Sequence, residues 1–130
     1  MTNLEKAREM FSKDKYATEA TKIQIDEVGE NYSKVSLKID DCHKNALGHV
    51  MGGVMFTLAD FAFAIATNLE GTRTVTLTSQ ISYLSIPKGE RLIAETRLIK
   101  DGSRNCFYEI IITDETEKQI AVVSTTGAHI

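Results

Sequence analysis

Apolar residues dominate one stretch in the middle of the chain, which runs from position 54 to position 70 without a proline or a glycine. Eleven of its first thirteen residues are apolar. This density predicts a helix that is apolar around its whole circumference and belongs in a protein interior. Gly52 and Gly53 immediately precede it, and Asp60 is the only charged residue among positions 54–69. Because burial of an unpaired carboxylate is unfavourable and raises its pKa, Asp60 needs a partner or a function.

The first residues show the helical period on a smaller scale. Their apolar residues recur every three to four positions, at Leu4, Ala7, Met10 and Phe11. The residues between them are charged, so the pattern predicts a short amphipathic helix over Asn3–Tyr16. We expect this helix to pack against the outside of the core.

Alternating and β-branched segments predict six strands, at Thr21–Val28, Tyr32–Ile39, Thr74–Ser85, Arg91–Lys100, Arg104–Thr113 and Gln119–Ile130. Turn residues separate them. Gly29 opens the turn after the first strand, Pro87 ends the third, and Asp101-Gly102 predicts a tight hairpin turn between the fourth and fifth. A polar loop at positions 114–118 precedes the last strand. The short connections favour an antiparallel sheet.

These elements predict a single α+β domain over residues 1–130. An antiparallel sheet of about six strands wraps around the long central helix, and the short N-terminal helix lies outside. In the third strand, alternation places Thr76 and Thr78 on one polar face and Val75 and Leu77 on the other. The long helix carries more apolar surface than one curled sheet covers, so we expect a partner subunit to cover the rest.

Composition changes this picture only by exclusion. The net charge of −3 argues against a nucleic-acid partner, which requires a basic face. The apolar run is shorter than the roughly 20 residues of a membrane span and contains Asp60, and the charged first 15 residues are unlike a signal peptide. Cys42 and Cys106 are too few for a disulfide framework. We therefore expect a cytoplasmic protein with reduced thiols and no membrane partner.

Two histidines lie in the loop before the long helix. His43 and His49 are six residues apart beside Cys42, a spacing that matches no zinc site, so we expect a surface or capping role and no metal. The aromatic residues of the helix, Phe56, Phe61 and Phe63, are expected in the core or in a subunit interface.

The residues around the helix start resemble the signature of hotdog-fold acyl-CoA thioesterases, in particular the phenylacetate-pathway (PaaI-like) branch. The resemblance rests on Asn45, Gly48, Met51-Gly52-Gly53, Asp60, the strand Gln80–Ser85 and the hairpin Lys100–Arg104. It covers nearly the whole chain after Lys15. It implies a hotdog fold, hydrolysis of an acyl-CoA, a homodimer or homotetramer, and no cofactor, because coenzyme A is part of the substrate. The family usually has a histidine where this chain has Met51, which leaves the role of an imidazole open.

Thioester hydrolysis requires a base or nucleophile and donors for the developing oxyanion. The amides of Gly52 and Gly53 lie at the positive end of the helix dipole, and the resemblance places the oxyanion donor at Gly52. Asp60 is the candidate base or nucleophile. Asn45 either orients water or the thioester carbonyl through its amide, or shapes the loop through local backbone bonds.

Helix geometry separates two of these groups. Gly52 and Asp60 are eight residues, or about 12 Å, apart along one helix, whereas catalytic groups meet within about 3 Å of one reacting atom. We therefore expect each active site to combine Gly52 of one subunit with Asp60 of another, in a dimer that pairs further into a tetramer.

Other residues and functions stay open. Thr76 and Thr78 either line the site or form a solvated or interface surface, and Lys100 and Arg104 either bind coenzyme A phosphates or are simply solvated. A hydroxyacyl-thioester dehydratase requires a histidine paired with the acid, and Met51 counts against it. A non-catalytic acyl-thioester sensor of the same fold is the other alternative.

Overall fold

The computed structural model describes residues 1–130. Its two α-helices are α1 (Asn3–Phe11) and α2 (Gly52–Asn68), and its six strands are β1 (Gln24–Gly29), β2 (Tyr32–Lys38), β3 (Thr74–Tyr83), β4 (Arg91–Asp101), β5 (Asn105–Asp114) and β6 (Gln119–His129). A π-helical turn at Tyr16–Ala20 and a 3-10 turn at Asp41–His43 lie in the connections. The strands form one antiparallel sheet in the order β1-β2-β4-β5-β6-β3.

The sheet curls around α2, which contacts every strand. The core between them is made of large aliphatic and aromatic side chains, and the Phe63 and Tyr108 rings meet edge to face at 5.4 Å. Burial of such side chains is the main favourable contribution to folding. The predicted α+β architecture, with six antiparallel strands around a long helix, is therefore confirmed.

The N-terminal helix is shorter than expected. A capping box between Thr2 and Glu5 starts α1, and the Phe11 ring packs edge to face on Phe61 of α2 at 6.1 Å. The helix ends at Phe11, and the predicted extension to Tyr16 is wrong. Residues 12–15 are all polar and offer no apolar side chain to bury. Most helical stability in proteins comes from packing of an apolar face, so the helix stops where that face stops.

β3 forms one edge of the sheet and contains a bulge. Thr76 pairs with Gly127 and Thr78 with Thr126, which leaves Leu77 as the extra residue. Gly127 faces α2, because a Cβ there would lie 2.8 Å from the Phe63 ring. Directly opposed residues share a face, so Thr76 faces α2 and Thr78 faces away from it. The predicted common face of these two threonines is wrong.

The β4–β5 connection also differs from the expected two-residue turn. β4 continues to Asp101, and the connection consists of residues 102–104. The Gly102 amide donates to the Asn105 carbonyl at 2.7 Å and closes this turn.

Neither helix combines the length and apolar content of a transmembrane segment. Cys42 is exposed and Cys106 is buried, and both are free thiols.

Candidate active site

The start of α2 leaves backbone donors without acceptors. Met51 precedes the helix, and its amide donates to the His43 carbonyl at 2.9 Å. The Val54 amide donates to the Met51 carbonyl at 3.0 Å. The amides of Gly52 and Gly53 have no acceptor in the chain. These two N–H groups lie at the positive end of the helix dipole, where they can bind a negatively charged oxygen.

The two glycines are not equivalent. A Cβ on Gly52 would lie 2.7 Å from the Tyr83 hydroxyl and 2.8 Å from its ring, so the last residue of β3 packs directly on the helix start. A Cβ on Gly53 would meet only the Met51 methyl, at an ordinary 3.8 Å. Gly52 therefore permits Tyr83 to approach the helix start more closely than a residue with a Cβ would.

A cavity of about 480 Å³ opens at Gly52, and we call it the helix-start cavity. Its walls are largely apolar and consist of His49, Val50, Gly52, Met55, Tyr83, Leu84, Ser85, Ile86 and Pro87. This volume and composition are typical of small-molecule sites. The cavity places the free amide of Gly52 beside apolar side chains. A fixed backbone donor in an apolar setting can stabilise a developing oxyanion.

Asp114 holds one wall of this cavity in place. Its Oδ2 accepts the amides of Lys88 and Gly89 at 2.8 and 2.9 Å, just beyond Pro87. Its Oδ1 accepts from Thr116 and Lys118. Burial favours the neutral carboxyl, but these hydrogen bonds outweigh burial and hold the pKa of Asp114 well below its usual range.

Asn45 shapes the loop in front of the helix. Its Oδ1 accepts the amides of Leu47 and His49 at 2.9 and 3.1 Å. The loop also requires Gly48, whose φ of +83° lies in the left-handed region. The Asn45 Nδ2 has no acceptor in the chain and can donate to a ligand. Both predicted roles of Asn45 are therefore compatible with one conformation.

His43 is buried, so the expectation of a surface position is wrong, whereas the capping role is confirmed. Its Nδ1 accepts the Asp40 amide at 2.9 Å, and its Nε2 donates to the Thr21 carbonyl at 2.7 Å. Because the His43 carbonyl also accepts the Met51 amide, this residue connects the protein core to the start of α2. A histidine three residues after Asp40 was the only signal for this role in the sequence.

Asp60 lies on the exposed face of α2, and its carboxylate has no hydrogen-bond partner. The expected burial of this side chain is therefore wrong for the single chain. Atoms packed around it still desolvate the carboxylate partly and raise its pKa, and the negative charge of Asp14 adds to this shift. An unpaired acid with a raised pKa is suited to accept a proton.

The remaining predicted residues do not converge on Gly52 within one chain. Lys100 and Arg104 flank the β4–β5 hairpin, and Gly102 of that hairpin lines a cavity with Ala66 at the opposite end of α2. Gly52 and Ala66 are about 21 Å apart along the helix axis. Met51 is exposed, whereas His49 lines the helix-start cavity and brings an imidazole close to Gly52.

Comparison with known proteins identifies the family. A sequence model described as the thioesterase superfamily matches residues 47–121. An Archaeoglobus fulgidus protein described as a putative esterase is 30% identical over 124 residues, which cover 95% of this chain and 80% of that protein. The chain belongs to the thioesterase superfamily. The Escherichia coli acyl-coenzyme A thioesterase PaaI is 29% identical over 117 residues, 89% of this chain and 83% of the relative.

Solved structures of superfamily proteins share the fold. The E. coli PaaI structure superposes with a TM-score of 0.88 at 24% identity and covers 99% of this chain and 96% of its own. A hypothetical thioesterase of Streptococcus pneumoniae, solved with coenzyme A, has a TM-score of 0.85 at 23% identity, with coverage of 95% and 96%. The predicted hotdog fold and the predicted family are confirmed.

Sequence reasoning missed two features of this thioesterase-superfamily site. Tyr83 belongs to the recognised strand Gln80–Ser85, but its packing on Gly52 was not predicted, and Asp114, which holds the loop after Pro87, lies outside the recognised signature. Both contacts join residues more than 20 positions apart. The printed sequence contains no local signal for either contact.

Proposed function

We propose that this protein hydrolyses acyl-CoA thioesters to a carboxylate and free coenzyme A. The main support is the free amide of Gly52, because this residue lines an apolar cavity at the start of α2. Membership of the thioesterase superfamily supports the reaction class. The name of the E. coli relative and the coenzyme A in the streptococcal structure support the substrate class.

In the proposed reaction, the thioester oxygen accepts a hydrogen bond from the Gly52 amide, assisted by Gly53, and the Nδ2 of Asn45 orients the carbonyl or the water. Asp60 either removes a proton from the attacking water or attacks the carbonyl carbon directly. The C–S bond then breaks, and the departing thiolate takes up a proton. After direct attack, water hydrolyses the resulting anhydride between the acyl group and Asp60, which releases the carboxylate and restores the Asp60 carboxylate. No metal or redox cofactor is needed, since coenzyme A is part of the substrate.

We propose that two subunits build each site. Gly52 and Asp60 of one chain are about 12 Å apart, too far to act on one carbonyl group. Two features support a partner. β3 is an open sheet edge with exposed apolar side chains at Val75 and Leu77, and Asp60 is exposed and unpaired in the single chain. Pairing of two β3 edges would satisfy their free backbone groups. A tetramer of two such dimers and a cytoplasmic location remain our further expectations.

Subunit mixing tests the shared site. An Asp60→Asn variant and a Gly52→Ala variant are each expected to be inactive alone, in assays of free-thiol release from aryl, medium-chain and long-chain acyl-CoAs. After random mixing, half of the dimers are mixed, and each mixed dimer has one intact site. Activity should therefore return to about a quarter of the unsubstituted level. No recovery, although mass spectrometry detects mixed dimers, would show that each site lies within one chain.

The substitution of the family histidine by Met51 favours one rival, a non-catalytic acyl-thioester sensor. That protein would bind acyl-CoAs tightly without releasing thiol from any of them. A dehydratase would form an alkene from a hydroxyacyl-CoA without thiol release. Dehydration requires a histidine paired with the acid, and Met51 in place of the family histidine counts against it.

A further inference from the structure

A second cavity adjoins the helix-start cavity, and we call it the lysine cavity. It has a volume of about 310 Å³ and shares His49, Val50, Ile86 and Pro87 with its neighbour. The two cavities therefore lie side by side along one wall, between Gly52 and the end of β2. A ligand that extends past this wall would contact both.

The lysine cavity differs from its neighbour in charge. Lys38 and Lys44 line it, and Glu90 is its single carboxylate. No carboxylate lies within salt-bridge distance of Lys38. Lys44 has only a 3.7 Å contact with the fully exposed Asp41, a type of surface pair that contributes little. Both ammonium groups are thus available to an anionic ligand.

The surrounding backbone fixes these charges relative to the catalytic groups. Lys44 pairs with Val50, which lines both cavities. A third ammonium group, that of Lys118, donates to the Ile86 carbonyl at 2.7 Å on the shared wall. Lys38 and Lys44 therefore lie on the side of the shared wall away from Gly52, and Lys118 lies at the wall itself. The carboxylates of Glu90 and Glu115 lie at the Gly89–Glu90 edge of the lysine cavity and offset part of this charge.

The substrate proposed above has the same polarity. An acyl-CoA carries its reacting thioester beside an apolar acyl group, and its phosphate groups lie at the far end of a flexible, uncharged linker. Lysine binds phosphate as a point charge. An apolar cavity with an oxyanion donor, beside a cavity lined by two lysines, matches this molecule in the order of its groups.

We propose that Lys38 and Lys44 bind the phosphate groups of coenzyme A while the thioester lies at Gly52. This inference rests on the proposed function and assigns the nucleotide end of the substrate. It replaces the hairpin residues Lys100 and Arg104, which lie near the other end of α2 within the same chain.

Two thioesters of one acyl group test this assignment. One carries coenzyme A, and the other carries N-acetylcysteamine, which ends before the phosphates. In a Lys38→Ala/Lys44→Ala variant, KM for the acyl-CoA should rise about 10-fold or more, because charge-assisted contacts are lost. Its kcat, and both constants for the short thioester, should not change. Added salt should raise KM for the acyl-CoA in the unsubstituted protein and have less effect in the variant.

Controls separate position from charge. A Lys6→Ala/Lys13→Ala variant loses the same charge at exposed positions away from both cavities and should behave as the parent. A Lys38→Arg/Lys44→Arg variant should retain the parental KM. An unchanged KM in the double alanine variant, or an equal rise for both thioesters, would overturn the assignment. A selective rise in a Lys100→Ala/Arg104→Ala variant instead would move the phosphate site to the hairpin.

Binding of free coenzyme A, measured by calorimetry, does not depend on turnover. If the parent hydrolyses no thioester but binds coenzyme A through Lys38 and Lys44, the proposed hydrolysis is wrong and the binding assignment stands. If the parent hydrolyses acyl-CoAs and the lysine substitutions leave coenzyme A binding unchanged, the assignment is wrong and the hydrolysis stands.

Discussion

The two ends of α2 differ in how their polar groups are used. At the first turn, the amides of Gly52 and Gly53 have no acceptor, and the Nδ2 of Asn45 is also free. At the last turn, the Thr67 hydroxyl donates to the Phe63 carbonyl, and Asn68 bonds the backbone on both sides of Thr74. The first end has unused donors, whereas the side chains at the other end pair with backbone groups beside them.

This difference separates structure from function. No buried side-chain nitrogen or oxygen in the protein lacks a partner. Every helix leaves its first amides without intrahelical acceptors, so the free donors at the start of α2 matter because an apolar cavity lies beside them. At the other end, the side chains of Thr67 and Asn68 pair with the backbone instead. We interpret the first end as the reactive one and the second as an anchor.

The anchor contains a chain of groups that resembles catalytic machinery. The Thr74 hydroxyl bonds His129 at 2.8 Å, and His129 bonds Asp101 at 2.7 Å. However, Thr74 is only 8% exposed, and its amide and carbonyl are both held by Asn68. A substrate carbonyl cannot reach that hydroxyl. These hydrogen bonds instead join the start of β3 and the end of β4 to the end of β6.

The largest effect is expected from Asp60→Asn. Loss of a general base lowers kcat by about 10²- to 10⁴-fold. Its folded-state pKa is raised, so the ionised carboxylate costs stability at neutral pH, and the substitution should leave thermal unfolding unchanged or slightly stabilised. Thiol release and calorimetry measure the two quantities. Loss of both activity and stability in this variant would show that Asp60 supports the fold rather than the reaction.

Asp114→Asn should produce the next largest effect, on stability. The amide cannot accept all the bonds that Lys88, Gly89, Thr116 and Lys118 donate, and it leaves partly buried donors unpaired, at a cost of about 2 kcal/mol. Because the pKa of Asp114 is lowered in the folded state, its stabilisation is complete above the unfolded-state pKa and is lost as the pH falls through the folded-state pKa.

Denaturant unfolding across acid pH tests this. The parent should lose stability progressively below about pH 4, and the variant should lose less over the same range. The corresponding control is Glu117→Gln, which removes a negative charge from the same connection without removing these bonds. Equal acid sensitivity of the parent and Asp114→Asn would show that other carboxylates control the acid transition.

Gly52→Ala sharpens the comparison within the reactive end. The added methyl would lie 2.7 Å from the Tyr83 hydroxyl, so the ring must shift, and because it lines the helix-start cavity the shift changes the shape of that cavity. A misplacement of about 1 Å can cost up to 100-fold in rate, and we expect a loss of that order in kcat/KM. Gly53→Ala is the matched control, because its methyl meets only an ordinary 3.8 Å contact. Equal losses in both variants would exclude Tyr83 as the cause.

Much of the reactive end could be predicted from the sequence because its signals are local. The Gly52-Gly53 pair, the apolar helix and the single acid Asp60 all lie within 20 residues, and the period-2 segments indicated all six strands. Features that depend on distant pairing could not be predicted. The bulge at Leu77 depends on the register between β3 and β6, and it alone separates Thr76 from Thr78.

The exposure of Asp60 illustrates the same limit. A helix apolar on all sides predicts burial, but sequence does not say whether the chain itself or a second subunit provides the cover. The single chain covers Phe61 and Phe63 completely and leaves Asp60 open. The capping role of His43 could be predicted, but its burial could not, because the Thr21 carbonyl that pairs its Nε2 lies 22 residues earlier.

At the anchor, His129→Ala should lower stability and leave the chemistry intact. The substitution leaves the buried Thr74 hydroxyl without its partner, at a cost of about 1–2 kcal/mol. The kcat of thiol release should stay within about twofold of the parent, because His129 lies at the opposite end of α2 from Gly52. Asp101→Asn keeps an acceptor for His129 and should cost less. A large loss of kcat with normal stability would make the Thr74–His129–Asp101 chain functional.

The smallest expected effect comes from Asp14→Asn. Asp14 follows α1, whose Phe11 packs on Phe61 next to Asp60, and its negative charge contributes to the raised pKa of Asp60. Asp60 acts as a base only when ionised, so activity falls as the pH drops through that pKa. Removing the Asp14 charge should lower the pKa and move the acid limb of kcat/KM to lower pH, without changing the plateau. Glu117→Gln should not move it. Partial burial is the larger cause of the raised pKa of Asp60. The pKa read from the acid limb should therefore return only part of the way to that of an ordinary aspartate. A complete return would mean that charge, and not desolvation at α2, controls this carboxylate.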